Sequence, residues 1–249
     1  MWGKCIAIVS GKGGTGKTSL TAGVGSALAL SGKRVLCIDC DVGLRNLDMS
    51  LGLSDRSLMD FTDVAQGRCS LDHAAVEHDH IPGLFLLTAP VRNRGRRVTE
   101  TEMADLLVEA RKKFDYCLLD APAGLGYGFI MATTSADRAV VVTTADSSSL
   151  RDAQLTVMEL NRFKVGTLHL VVNRVRRKML RNMHSTIDDA IDKAGLPLIG
   201  VIPEDDALPL CLNRGVPLLL ADRTCASACA YQNISIRLQG GKVPLVRIK

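Results

Sequence analysis

The residues best suited to chemistry lie near the start of the chain, in a glycine-rich run that contains two lysines. Gly11, four further residues and then Gly16, Lys17 and Thr18 match the Walker A phosphate loop. Glycines allow the backbone N–H groups of such a loop to curl around phosphate oxygens. We therefore predict Lys17 at the β- and γ-phosphates of a nucleotide and Thr18 on Mg²⁺. The predicted phosphate site comprises Gly11, Lys12, Gly13, Gly14, Thr15, Gly16, Lys17, Thr18 and Ser19.

Lys12 is a second cation in this loop, at a position where the motif does not require one. It either binds phosphate, in its own chain or on a second subunit, or is a solvated surface lysine, the usual state of this residue. A phosphate role is favoured, because the N-terminus of the helix that follows the loop already attracts anions.

Acidic residues end two of the later apolar runs. Asp39 and Asp41 share one face of the chain where the run from residue 35 ends, and Asp120 ends the run from residue 116. Asp120 fits the Walker B pattern, whose carboxylate holds a water of the Mg²⁺ ion, and a neighbouring carboxylate can orient the attacking water. An N-cap or turn role is the alternative for Asp39, although a cluster of acids needs a compensating cation. Glycine-rich segments follow both runs, at 42–48 and 121–126, and fit either γ-phosphate sensors or ordinary turns.

The elements that must position these residues alternate along the chain. Several apolar runs are continuous, which is typical of strands buried on both faces. We predict an α/β fold of the P-loop NTPase type, with a mostly parallel central sheet and helices on both faces. Ligands of such sheets bind beyond the carboxyl ends of the strands, where the loop and the acids lie. The predicted strands are 4–9, 35–39, 84–88, 116–120, 139–144, 168–173 and 198–202. The predicted helices are 17–31, 57–66, 100–114, 128–135, 150–163, 180–194, 205–214 and 226–238, with Gly32, Gly67 and Gly195 as C-caps.

Composition places the chain among ordinary globular proteins. It has 249 residues, 47% of them hydrophobic, and no linker or repeat divides it. We predict a single P-loop ATPase domain over residues 1–239 and a short basic tail over residues 240–249. No apolar run reaches the roughly 18 residues that span a bilayer. We expect a cytoplasmic protein, because no secretory signal is recognisable and most of the eight cysteines lie in apolar contexts typical of reduced thiols.

The net charge of +5 is unevenly distributed. Clusters of cations suit an anionic partner, either DNA phosphate or lipid headgroups, but also suit solvated loops. The clusters are Arg92, Arg94, Arg96 and Arg97; Arg174, Arg176, Arg177, Lys178 and Arg181; and Arg237, Lys242, Arg247 and Lys249.

Four segments together resemble the MinD/ParA family of P-loop ATPases. Residues 11–19, with Lys12, are similar to the family's deviant Walker A loop, and residues 39–48 to its first switch segment. Residues 120–124 resemble the second switch segment, and residues 200–205 the loop that borders the base and ribose. The similarity runs in register from about residue 3 to about residue 238.

The resemblance implies an ATP-hydrolysing switch that acts in septum placement during cell division. ATP would favour a homodimer in which Lys12 contacts the partner's nucleotide, and the dimer would bind regulators of the MinC/MinE type. The implied catalytic residues are Lys12, Lys17, Asp41 and Asn46, and the implied Mg²⁺ residues are Thr18, Asp39 and Asp120. The implied nucleotide contacts beyond the loop are Asn173, Arg174, Pro203, Glu204 and Asp205. Asp152 is either a regulator contact or an acid in the first turn of a helix.

Two other functions remain open from the residues. A ParA-like or flagellar-number ATPase would use the arginine clusters on DNA or on a partner protein. An Mrp-type iron–sulfur carrier would use paired cysteines: Cys225 and Cys229 share a helix face, whereas the thiols of Cys37 and Cys40 should point to opposite sides of a strand end. The tail departs from the family pattern, because glycines and a proline interrupt it. Its cations predict only weak attraction to an anionic membrane surface.

Overall fold

The computed structural model describes residues 2–54, 56–92, 96–176 and 187–248. Within these residues, eight strands form one sheet in the order β3-β4-β2-β5-β1-β6-β7-β8. All pairings are parallel except that of β3 with β4. The strands are β1 (Lys4–Val9), β2 (Val35–Asp39), β3 (Val76–Glu77), β4 (Leu84–Leu87), β5 (Tyr116–Asp120), β6 (Arg138–Thr143), β7 (Thr167–Val175) and β8 (Leu198–Pro203). The fold confirms the predicted α/β class.

Helices connect the strands and cover the sheet. Those in the described residues are α1 (Lys17–Leu30), α2 (Leu47–Ser50), α3 (Phe61–Ala65), α4 (Leu71–Ala74), α5 (Glu100–Lys113), α6 (Tyr127–Thr133), α7 (Ser147–Arg162), α8 (Ile187–Ala194), α9 (Ala207–Arg214), α10 (Leu218–Ala221) and α11 (Ala226–Leu238).

Two apolar clusters, one on each face of the sheet, explain the continuous apolar strands. In β1, Ile6 and Ile8 belong to the cluster that includes α1 and α11, whereas Ala7 and Val9 belong to the cluster that includes α5, α6 and α7. Both sets of side chains are almost completely buried. A strand buried in this way gains from apolar residues at every position, so the sequence shows no alternation.

Most predicted elements are confirmed, with ends that shift by one to three residues. The helix predicted from residue 57 begins only at Phe61, because Asp60 accepts the N–H groups of Thr62 and Asp63 and so caps the first turn. The first residues of the predicted helix 180–194 lie outside the described residues, as do members of each arginine and lysine cluster. The predicted C-cap glycines all have positive φ: 87° at Gly32, 72° at Gly67 and 65° at Gly195.

The segment after α11 lies extended on the body of the protein. Arg237 donates to the carbonyl oxygens of Ile199 and Val243, and Asn233 donates to that of Pro244. Arg237 is therefore a structural residue rather than a free cation of the tail. Among the described residues, no helix combines the length and the apolar character needed to cross a membrane.

Candidate nucleotide-binding site

The glycine-rich loop joins β1 to α1 at the carboxyl edge of the sheet. Gly14 and Gly16 have φ of 77° and 93°, in the left-handed region that favours glycine. A Cβ on Gly16 would lie 2.1 Å from Nδ2 of Asn173. Gly16 is also the N-cap of α1 and has no side chain to bond the N–H groups of the first turn. These groups therefore remain available to an anion.

Lys17 places a cation on the floor of the cleft beside this loop. Its side chain is buried, and Nζ donates to Oγ of Ser10 at 2.8 Å. Burial lowers the pKa of Lys17, while the nearby carboxylates of Asp120 and Asp41 oppose part of that shift. The lysine is thus held between acids on one side and the phosphate loop on the other.

Two carboxyl groups lie side by side beneath the cleft. Asp39 and Asp120 end adjacent strands in register, and both are buried. Thr18 donates from Oγ1 to Oδ2 of Asp120 at 2.7 Å, and Asp39 accepts the N–H groups of Asp41 and Leu47. Burial, reinforced by the neighbouring acid, raises the pKa of Asp120 to about 7, and burial raises that of Asp39 to about 6. A divalent cation would relieve this excess of negative charge.

The oxygen donors of this corner fit Mg²⁺. Mg²⁺ prefers carboxylate, hydroxyl and water oxygens, and it usually binds through one or two carboxylates together with substrate phosphates. The described residues contain no group of three or more His, Cys, Asp or Glu side chains arranged to hold a metal ion. Thr18 and Asp120 supply a hydroxyl and a carboxylate beside the phosphate loop, a pair that suits an ion arriving with a nucleotide.

The first switch segment forms one wall of the cleft. Asp41, Asn46 and the exposed side chain of Met49 line it. Gly43 donates its N–H to the carbonyl of Pro90, which holds the segment against the end of β4. Asp39 bonds both ends of the segment, because it accepts from residues 41 and 47.

The opposite wall is formed where β7 and β8 end. Asn173 is buried, donating from Nδ2 to the carbonyl of Thr15 at 2.7 Å and accepting the N–H of Arg174. Arg174 has a positive φ of 56° and donates to the carbonyl of Gly14. Asp205 accepts the N–H groups of residues 207 and 227 and so links the starts of α9 and α11. Pro203, Glu204 and Asp205 line the cleft on this side.

The cleft has a volume of about 580 Å³, within the usual range for small-ligand pockets. The structure brings most of the predicted site residues to its surface. Those lining it are Gly13, Gly14, Gly16, Lys17, Thr18, Ser19, Asp41, Asn46, Asn173, Arg174, Pro203, Glu204 and Asp205. Asp39, Asp120 and Thr15 lie buried at its edge.

The side chain of Lys12 lies at the start of α7, outside the residues that line the cleft. Its Nζ donates to Oγ of Ser148 at 2.8 Å and lies 3.7 Å from Oδ1 of Asp146, both at the start of α7. It lines a neighbouring opening of about 420 Å³. Gly11 also lies outside the cleft and packs on α7, where a Cβ would be 2.7 Å from the carbonyl oxygen of Asp152. Asp152 therefore lies beside the loop rather than in the site.

Two hydroxyl residues of the site were missed from the sequence. Ser10 accepts from Lys17 and donates to the carbonyl of Lys12. Thr21 lies 3.2 Å from Oδ1 of Asp120. The spacing of Thr18 and Thr21 was the available signal, because residues three apart share a helix face.

The cysteines of both pairs are not among the residues that line the cleft. Cys37 and Cys40 belong to the apolar clusters on opposite faces of the sheet, as expected. The thiols of Cys225 and Cys229 contact the carbonyl oxygens of Asp222 and Thr224 at 3.6 and 3.5 Å. Each of these two thiols thus has a main-chain partner.

Comparisons with known proteins agree with this geometry. The CobQ/CobB/MinD/ParA nucleotide binding domain matches residues 6–218. A septum site-determining protein MinD of Synechocystis sp. is 40% identical over 245 residues, which cover 98% of this chain and 92% of that protein. The MinC:MinD cell division protein complex of Aquifex aeolicus contains a chain with a TM-score of 0.91 and 36% identity, covering 98% of this chain and 99% of that one. The septum site-determining protein MinD of Pyrococcus horikoshii, complexed with Mg-ADP, has a TM-score of 0.83 and 28% identity, covering 94% and 95%.

Proposed function

The chain belongs to the MinD/ParA family of nucleotide-binding proteins, and from this premise we propose that it is a MinD-like, ATP-hydrolysing switch that acts in septum placement. One observation carries the proposal: Lys17 and Thr18 line a single cleft at a glycine loop, and Asp120 lies buried beside them. Phosphoryl transfer needs little more than positioning and charge stabilisation, and these residues supply both.

Each residue has a proposed part in binding and hydrolysis. Lys17 binds the β- and γ-phosphates, and the loop N–H groups hold their oxygens. Thr18 and Asp120 hold Mg²⁺, which when bound neutralises charge on the transferred phosphoryl group. Asp41 lies half-buried on the cleft wall, where its carboxylate is placed to orient the attacking water. Asn46 completes this wall, and Asn173 with residues 203–205 forms the side for the base and ribose.

Lys12 supports an ATP-dependent homodimer as the active form. Its ammonium group bonds Ser148 at the start of α7, in an opening beside the cleft. From there it is placed to reach a nucleotide held by a second copy. In a two-fold dimer the two Lys12 side chains would be exchanged reciprocally.

The exposed face of α7 is the proposed site for division regulators. Leu155 and Met158 are exposed there, and Asp152 lies on the same helix next to the phosphate loop. A solved relative is a complex of MinC with MinD, which supports a MinC-type partner for this chain. Because α7 packs against Gly11, a partner bound to α7 would lie next to the phosphate loop.

We further propose that the protein acts in the cytoplasm, with weak peripheral attraction to the inner face of the cell membrane. Lys242 and Arg247 are exposed on the extended tail. Each would contribute about 1 kcal/mol near an anionic leaflet.

Binding and hydrolysis assays on matched variants test the proposal. Wild type should bind ATP in a Mg²⁺-dependent way and release phosphate, while Lys17→Ala should do neither. Lys112→Ala, at an exposed position on α5, serves as the control and should behave as wild type. Unchanged ATPase activity in Lys17→Ala would refute the assignment of the loop.

Co-sedimentation separates the proposed platform from the DNA alternative. With ATP but not ADP, the protein should pellet with phosphatidylglycerol-containing vesicles more than with neutral phosphatidylcholine vesicles. ATP-dependent binding to duplex DNA that falls steeply with salt would instead favour a ParA-like function.

A further inference from the structure

Thr21 is a completely buried threonine one turn into α1, outside the phosphate-loop motif. Its Oγ1 lies 3.0 Å from the carbonyl of Lys17 and 3.2 Å from Oδ1 of Asp120. A hydroxyl has a single proton, so it donates to one of these acceptors at a time or divides between them. The carboxylate is the stronger acceptor when it is charged.

The two oxygens of Asp120 have different partners. Thr18 donates to Oδ2, on the side of the cleft, whereas Thr21 lies at Oδ1, on the buried side. Thr18 and Thr21 are three residues apart, so both hydroxyls project from one face of α1 toward the end of β5. Together they set the plane of the carboxylate.

This division matters once a nucleotide and Mg²⁺ bind. The motif would place the oxygen of the Thr18 hydroxyl on the metal, and the proton of that hydroxyl can still bond Oδ2 of Asp120. Thr21 holds the other oxygen, Oδ1, from the buried side. A carboxylate fixed at one oxygen presents the other to the metal and its waters, as outer-sphere hydrogen bonds do at other metal sites.

We propose that Thr21 is a positioning residue for Mg²⁺-dependent nucleotide binding, acting by holding Oδ1 of Asp120. The inference rests on the proposed nucleotide-binding function. It assigns no contact between Thr21 and the metal or the nucleotide. The residue acts only through the orientation of Asp120.

Two substitutions at this position separate the hydroxyl from the shape of the side chain. Thr21→Val keeps the volume and removes the hydroxyl, whereas Thr21→Ser keeps the hydroxyl. Thr133→Val is the matched control, because Thr133 is also buried in a helix but, among the described residues, its hydroxyl donates to the main-chain carbonyls of Phe129 and Ile130. It reports the cost of losing a buried threonine hydroxyl whose partners are main-chain carbonyls.

The measurement is the affinity of the full chain for the non-hydrolysable analogue AMPPNP during a Mg²⁺ titration. Thr21→Val should raise the Mg²⁺ concentration for half-maximal binding about 10-fold, the size of effect seen when a residue that hydrogen-bonds a metal ligand is replaced. Its affinity in EDTA should stay within about 2-fold of wild type, as should the whole titration of Thr21→Ser and of Thr133→Val.

Three results would overturn the proposal: a wild-type Mg²⁺ titration in Thr21→Val, an equal loss of affinity with and without Mg²⁺, or the same shift in Thr133→Val. If Thr21→Val does not fold, Thr21→Ser still decides, because a 10-fold shift with the hydroxyl retained contradicts the mechanism. Failure of the wild-type protein to bind AMPPNP would refute the proposed function instead.

Discussion

Replacing Lys12 by alanine should separate nucleotide binding from dimerisation. In the single chain the Lys12 side chain is 46% exposed and meets only Ser148 and Asp146 among the described residues. Exposed ion pairs of this kind contribute at most about 1 kcal/mol to the free energy of unfolding. The melting temperature should therefore fall by no more than about 4 °C.

The loss of dimer stability is larger, because a two-fold dimer contains two Lys12 contacts and the substitution removes both. Each Lys12 ammonium that reaches a partner's phosphate makes a charge-assisted contact of about 1.5–3 kcal/mol. Losing both gives about 3–6 kcal/mol per dimer, or roughly 10²–10⁴-fold weaker association. Affinity for the nucleotide in the same chain should change by less than about 3-fold, because Lys12 is not among the residues that line that cleft.

Lys17→Ala gives the opposite pattern. Lys17 is only 7% exposed and lies among Asp120, Asp41 and the loop. Its removal takes away the cation that offsets the buried acids as well as the contact with two phosphates. Nucleotide affinity should fall by about 10²-fold or more, and the dimer should be lost as a consequence.

Titration with a fluorescent ATP analogue and light scattering with AMPPNP measure the two quantities separately. The Lys112→Ala chain controls for the loss of a surface lysine. Equal losses of nucleotide affinity in Lys12→Ala and Lys17→Ala would place Lys12 on its own phosphates. Normal dimerisation of Lys12→Ala would refute the exchange between subunits.

Further substitutions test the rest of the site and the tail. Asp41→Ala should slow ATP hydrolysis at least about 10²-fold and accumulate dimer with ATP; a wild-type rate in a phosphate-release assay would remove it from catalysis. Gly16→Ala should lower stability by about 2–4 kcal/mol, through positive φ and a clash with Asn173, seen as a melting temperature lower by roughly 5–15 °C; an unchanged melting curve would contradict the loop geometry. Removing residues 242–249 should weaken vesicle binding several-fold, and unchanged co-sedimentation would dismiss the tail. Asp152→Ala should weaken binding of a MinC-type partner without changing ATP affinity, measured by pull-down and titration; unaltered partner binding would leave Asp152 as a helix acid.

Most strands and helices of the fold are predictable from local sequence patterns. Strands β1, β2 and β5 and helix α11 have the predicted ends, because continuous apolar runs and helical periodicity are visible within a few residues. Strand β3 and helices α2, α4 and α10 have four residues or fewer and show no periodicity. The order of strands was not predictable in the same way. That β5 lies between β2 and β1 depends on crossover connections, not on a local pattern.

In the site, too, residues in local motifs are predictable from the sequence, whereas contacts between distant segments are not. Lys17 and Thr18 follow from a contiguous motif, and Asp120 from its place at the end of a strand. The amide of Asn173 bonds the carbonyl of Thr15 across 158 positions of sequence, and nothing at either residue signals that contact. The same holds for Ser10, a common residue whose bond to Lys17 exists only because the loop folds back on itself.

Both switch segments are tied to the strand tips that carry the charges of the site. Asp39 lies next to Asp120 and bonds the two ends of the first segment, at residues 41 and 47. Ser10 bonds Lys17 through its hydroxyl and accepts the N–H of Gly124, in the second segment, through its carbonyl. A bound Mg²⁺ ion would stabilise the charged form of both buried acids, whose pKa is raised mainly by burial, and a phosphate would draw Lys17 from Ser10. Each change acts on a residue bonded directly to a switch segment, so one hydrogen bond separates the nucleotide chemistry from each segment.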